Sequence, residues 1–99
     1  MPQQDPWTVT SPSAGVYRFT NQTGKPAGMI YFRPRGVDLD TGDPGSNGVA
    51  QRIEPGRHFD IKMKRKPGAP DPAAVEMEWK SRREDGEVEL NVWRYAISE

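Results

Sequence analysis

Two stretches of this chain concentrate the residue types that do chemistry. The first is Lys62-Met63-Lys64-Arg65-Lys66, the densest run of one charge, with Arg57 a few residues upstream. Ammonium and guanidinium groups neutralise phosphates and release condensed counterions, so a basic strand face of this kind can track a nucleic acid or another polyanion. Aromatic neighbours would add base stacking. The second stretch is Asp38-Leu39-Asp40-Thr41-Gly42-Asp43, which gathers three carboxylates. Hard cations take their oxygen ligands from carboxylates and carbonyls in such turns.

Both have a plainer reading. The chain carries 14 Lys and Arg against 14 Asp and Glu, so no overall field draws it to a polyanion. Glu76, Glu78, Glu84, Glu87 and Glu89 crowd the C-terminal part, and lysines alternating along a strand also keep sheet edges from pairing. Counted from Asp38, an EF-hand loop requires Asp or Asn, Gly and Glu where this sequence has Gly42, Asp43 and Val49. Asp38, Asp40 and Asp43 are therefore metal candidates by residue type alone, with Asx-turns as the competing reading. No cofactor is expected.

A reactive centre is harder still to assemble. His58 is the only histidine and there is no cysteine, so zinc ligands and catalytic triads lack their parts. Ser11, Ser13, Ser46, Ser81 and Ser98 fall in turns or near the end, with no nucleophile elbow around them. Asn21-Gln22-Thr23 matches a glycosylation acceptor by chance. The chain is not expected to be an enzyme.

The elements that must position these residues read as strands. In Ile53-Glu54-Pro55-Gly56-Arg57-His58-Phe59-Asp60-Ile61-Lys62-Met63-Lys64 a Pro-Gly corner feeds an alternation of apolar and charged residues. A period of two sends alternate side chains to opposite faces, one covering a core and one meeting water. Trp7–Thr10, Gly15–Asn21, 27–33, 49–53, 74–81 and a last strand from Val88 repeat the recipe. In the strand 27–33, closed by Pro34, Ile30 and Phe32 alternate with Met29 and Tyr31, so both faces are apolar as in a central strand. In the last strand Val88, Leu90 and Val92 share one face and Trp93, Tyr95 and Ile97 the other, which calls for a bulge near Val92-Trp93 or for cover on both faces. The bulge is the favoured reading. Asp85-Gly86 marks the hairpin before it. The stretch from Gly36 to Gly48 has no periodicity and reads as a long loop, Val37–Asn47 being a place for function.

About seven strands with turns between them, ten Gly, ten Pro and only two Leu imply an all-β fold with little or no helix. At 99 residues that is one small antiparallel β-sandwich over 7–99, after a flexible tail over 1–6. The strand ending in Asn21-Gln22-Thr23-Gly24, the Pro55-Gly56 corner and the Trp79-bearing strand beside a hairpin resemble Ig-like and fibronectin-type domains. The resemblance implies a fold and no particular activity, and the chain departs from antibody domains in having no Cys pair. No segment has the apolar length of a membrane span or the pattern of a signal peptide, so a cytoplasmic location is expected. The function expected is a non-catalytic interaction or structural module. Its partner would be another protein, with self-association possible, on a face carrying Trp7, Tyr31 and Trp93. The alternative is polyanion binding through Arg57, Lys62, Lys64, Arg65 and Lys66.

Overall fold

The computed structural model describes residues 5–42, 47–49, 51–69 and 73–97. They form eight strands: β1 (Trp7–Ser13), β2 (Val16–Asn21), β3 (Gly28–Arg35), β4 (Val37–Asp40), β5 (Gly48–Val49), β6 (His58–Arg65), β7 (Ala73–Arg82) and β8 (Val88–Ile97). Two antiparallel sheets of four result, ordered β1-β2-β6-β4 and β5-β3-β7-β8. The expected sandwich is what the chain builds, without helix among the described residues.

The alternation at β6 works as its sequence implies: Phe59, Ile61 and Met63 are buried while His58, Asp60, Lys62 and Lys64 are exposed. The corner before it is a type II turn in form. Arg57 N–H donates to the Glu54 carbonyl at 3.0 Å, Pro55 sits at the first central position, and Gly56 takes φ +80° at the second. A side chain there would be strained, so glycine is required.

Aromatic rings join the two sheets. Phe19 stacks on Phe59 at 5.4 Å, and Phe32 from the other sheet meets them edge-on at 5.4 and 6.0 Å. Trp7 stands edge-on to Phe59 and Trp79, both at 5.6 Å. Each such pair adds about 0.5–1.5 kcal/mol beyond its burial.

The core holds one buried polar side chain, Asn21, among the described residues. Its Nδ2 donates to the carbonyls of Lys25 (2.8 Å) and Ile53 (2.9 Å), and its Oδ1 accepts from Thr23 N–H (2.9 Å) and Thr23 Oγ1 (2.7 Å). The glycosylation-like spacing of Asn21 and Thr23 is thus a local hydrogen-bonded clasp. It ties the turn after β2 to the approach of the β6 corner, whose Gly56 N–H also donates to the Asn21 carbonyl at 2.9 Å.

Three expectations change. The loop read over Gly36–Gly48 contains a strand: Val37–Asp40 pairs with β6, and Gly36 alone, at φ +72°, carries the chain from one sheet to the other. Residues 43–46 lie outside the described set. Pro34 does not end β3, which runs to Arg35. Phe32 N–H donates toward Asn47, on the side away from β7, and by alternation the missing N–H of Pro34 falls on that side too, so no bond to β7 is lost. The last change concerns phase. β8 pairs with β7 through ten successive residues, from Ala73↔Ile97 to Arg82↔Val88, with no bulge near Val92-Trp93. Its turn also differs from a two-residue hairpin loop, because Gly86 N–H donates to Arg83 O and Arg83 N–H to Glu87 O, leaving Glu84 and Asp85 as the central residues. Register shifts lie instead in β3, between Gly28 and Tyr31, and in β1, between Thr10 and Ser13.

Candidate functional site

The two chemical clusters lie on neighbouring strands, β6 and β4. Lys62 and Lys64 do point outward from β6, but their cross-strand neighbours on β4 are Asp40 and Asp38. On the other side Arg18 of β2 pairs Asp60, with Nε to Oδ1 at 2.9 Å and Nη2 to Oδ2 at 3.2 Å. Lys66 reaches Asp38 at 3.8 Å. Three strand cations on this face therefore meet three carboxylates, and the face has no net charge. Arg57 stays apart at the corner, and Arg65 is half-buried with its guanidinium donating to the Ala69 carbonyl at 3.2 Å. The strip of five basic residues is not assembled on one face.

The same pairing accounts for the aspartates. Asp38 and Asp40 are strand residues opposite lysines, and the Asp40 carboxylate accepts the Gly42 N–H at 2.8 Å in an Asx-turn. Asp43 lies outside the described residues. No group of three or more His, Cys, Asp or Glu gathers as a metal site among the described residues. Among the described residues two titrations on this face depart from the ordinary, those of Asp60 and Arg18. The Asp60 carboxyl is held below the usual carboxylate value, first by the hydrogen bond from Arg18, and the Arg18 value is raised in return.

The aromatic trio also separates. Trp7 is 1% exposed and belongs to the core, so it offers no surface to a partner. Trp93 turns to the inner side of β8, half-buried, with its ring 5.9 Å from Tyr95. With Asp5, Thr8, Val9 and Gln22 these aromatics line an open cleft of about 490 Å³ between β1 and β8. Only Tyr31 stands on an outer face.

That outer face, on the β5-β3-β7-β8 sheet, carries the concentration that sequence reasoning did not locate. Five large apolar residues are exposed among the described residues: Met29 (72%), Tyr31 (44%), Val88 (58%), Leu90 (59%) and Val92 (55%). All five lie here. Register shows why: Tyr31, Glu78 and Val92 form one row across three strands, and Gly28, Lys80 and Leu90 the next. Inward, the same strands present Ile30, Phe32, Met77 and Trp79 to the core.

Met29 reaches this face through the bulge. Between the pairs Gly28↔Lys80 and Tyr31↔Glu78, two residues of β3 oppose Trp79 alone. Met29 takes φ +50° there, the only non-glycine residue in the left-handed region among the described residues. A bulge whose first residue is left-handed ordinarily has glycine at that position. Placing Met there costs about 1–2 kcal/mol and projects a long apolar side chain into water. Strained residues of this kind cluster at sites of binding.

Charges surround the apolar residues. Arg33, Arg35, Lys80, Arg82 and Arg94 share the face with Glu76 and Glu78, an excess of three positive charges. Arg33 pairs Glu78 at 2.9 Å. A shallow groove of about 530 Å³ is lined by Gly28, Met29, Lys80, Arg82 and Val88. Nothing here is a nucleophile poised beside a base; the arrangement suits contact with another surface.

The signal for this face was present in the alternation of Met29 and Tyr31 with Ile30 and Phe32, and of β8's two apolar rows. What the sequence withheld was that neither outer row is covered. Comparison with protein-family models, with curated proteins and with solved structures finds no match. Among the described residues no helix is long and apolar enough to cross a membrane.

Proposed function

We propose that this chain is a non-catalytic protein-interaction module, an Ig-like sandwich that docks a protein partner on the outer face of its β5-β3-β7-β8 sheet. The observation that carries the reading is the convergence of Met29, Tyr31, Val88, Leu90 and Val92 on that one face. Contiguous exposed apolar surface rimmed by polar groups is characteristic of interaction sites. Aliphatic and aromatic side chains at the centre with arginines around them fit the usual anatomy of an interface. The Ig-like reading is supported by strand order. With the two-residue β5 set aside, β1-β2-β6-β4 over β3-β7-β8 follows the ABED over CFG arrangement of constant-type Ig domains.

Polyanion binding through β6 has less support, since Asp38, Asp40 and Asp60 stand beside its cations. The two readings separate in one experiment. A tagged form is used to capture partners at low and high salt, alongside the variants Met29→Ala/Tyr31→Ala and Lys62→Ala/Lys64→Ala. The proposal expects a protein retained at high salt, lost with the first variant and kept with the second. Capture of nucleic acid that falls with salt and with the lysine variant would overturn it.

A further inference from the structure

Each sheet of the sandwich ends in two edges, and three of the four are blunted. β4 has four residues and β5 two. β1 contains Pro12 and a register shift between Thr10 and Ser13. Short edges, proline and bulges are the usual protections against pairing with another chain. β8 has none of them: it is ten residues long, pairs with β7 without interruption, and contains neither Pro nor Lys.

The hydrogen bond from Arg83 N–H to Glu87 O sets which backbone groups of β8 are used. Residues 87 and 83 form a hydrogen-bonded pair, and such pairs recur at every second residue. The odd-numbered residues of β8 thus face β7. The N–H and C=O groups of Val88, Leu90, Val92, Arg94 and Ala96 point to the open edge. Three of these five are the residues whose side chains form the exposed apolar row.

We infer that β8 pairs antiparallel with β8 of a second copy, giving a two-fold dimer with one continuous sheet across it. The strands are centred on Leu90, so that Leu90 lies opposite the partner's Leu90 and Val88 opposite the partner's Val92. In that register apolar side chains meet only apolar side chains across the axis. Arg94, which makes no ion pair among the described residues, then lies opposite the acidic turn Glu84-Asp85-Gly86-Glu87 of the other copy, twice by symmetry. Sliding the strands by one hydrogen-bonded step in one direction places Arg94 against Val88 and loses this match, while one step in the other places Arg94 against Glu84 but sets Val92 against Gly86, so that apolar pairing is lost. The chain has no net charge, so two copies do not repel at long range. Because the axis stands perpendicular to the sheet, both outer faces end on the same side. The dimer therefore doubles the apolar face while leaving it open, and it stands or falls separately from the partner proposed for that face.

The test uses the full chain in sedimentation velocity from micromolar to millimolar concentration, with variants chosen from the edge geometry. Val92→Pro removes an N–H that faces the open edge and none that bonds β7. Leu90→Lys sets two ammonium groups against each other at the axis and serves if the proline variant does not fold. The expected result is a mass that doubles with concentration for the unaltered chain and stays monomeric for the variants. Register is read by cross-linking, which is clean because the chain has no cysteine. Leu90→Cys should form a disulfide dimer far faster than Thr10→Cys on β1, and an equal mixture of Val88→Cys and Val92→Cys should couple to each other before themselves. A chain that remains monomeric throughout overturns the inference, as does a dimer unaffected by Val92→Pro and Leu90→Lys. Leu90→Cys coupling no faster than Thr10→Cys overturns the register.

Discussion

The sharpest consequence of the structure concerns Met29, because it inverts the sign of an ordinary substitution. At a regular strand position replacing Ala by Gly costs about 0.5–1 kcal/mol, the extra backbone freedom lost on folding. At φ +50° a Cβ itself costs about 1–2 kcal/mol. Subtracting glycine's entropy from that relief leaves Met29→Gly more stable than Met29→Ala by about 0–1.5 kcal/mol, centred on about 0.75. Both variants lose the same, largely exposed side chain, so its contacts cancel in the comparison. Tyr31 is the internal control, two residues along the same strand and face without a positive φ. There Tyr31→Gly should be less stable than Tyr31→Ala by a similar amount. Thermal unfolding of the four variants reads this directly, since 1 kcal/mol moves the midpoint of a domain this size by about 4–8 °C. If the Gly variant is the weaker one at both positions, Met29 is not held left-handed and the argument from strain to function collapses. If the inversion appears, glycine would have served the fold better, and methionine is there at a cost to stability.

Trp7→Ala should lose about 3–5 kcal/mol in denaturant unfolding, as expected for emptying a buried aromatic site, whereas Tyr31→Ala should stay within about 0.5 kcal/mol as a surface change; comparable losses would contradict their placement. Asn21→Asp replaces two donated hydrogen bonds with a carboxylate facing the carbonyls of Lys25 and Ile53. Each orphaned buried group costs about 1–3 kcal/mol, so a loss of about 2 kcal/mol or more is expected in the same assay, and a neutral result would mean the clasp is not formed. The Arg18–Asp60 pair contributes where Asp60 is ionised. Its folded value lies below the ordinary 3.8, so the contribution is present above that pH and is lost as pH falls through the lowered value. Both side chains are more than a third exposed, so solvent screening keeps the effect small. Melting curves from pH 5 down to pH 2 should fall slightly more for the unaltered chain than for Asp60→Asn, and parallel curves would remove the pair from the account.

The parts of the fold that were legible in the sequence are those specified by neighbours along the chain. Phe59, Ile61 and Met63 alternate with charged residues and are buried as that alternation requires. Pro55-Gly56 turns where its φ preferences direct. Val75, Met77 and Trp79 face inward as their spacing implies. Gly36 misled, because a single left-handed residue can transfer a strand between sheets as well as open a loop. The two apolar rows of β8 misled for a related reason: alternation shows that two faces are apolar and not which one is covered.

Local chemistry thus determined the class of fold, the strands and most of the inward faces, since side-chain direction in a strand follows from a period of two. Charge and exposure were decided by strands distant in sequence. Lys62 and Lys64 lost their excess charge because β4 crossed beside them carrying Asp40 and Asp38, and Trp7 left the surface because Phe59 and Trp79 closed around it. Met29 and Leu90 lie far apart along the chain, yet β7 brings them onto one face, where an extra residue in β3 and an uncovered edge strand leave them open to water.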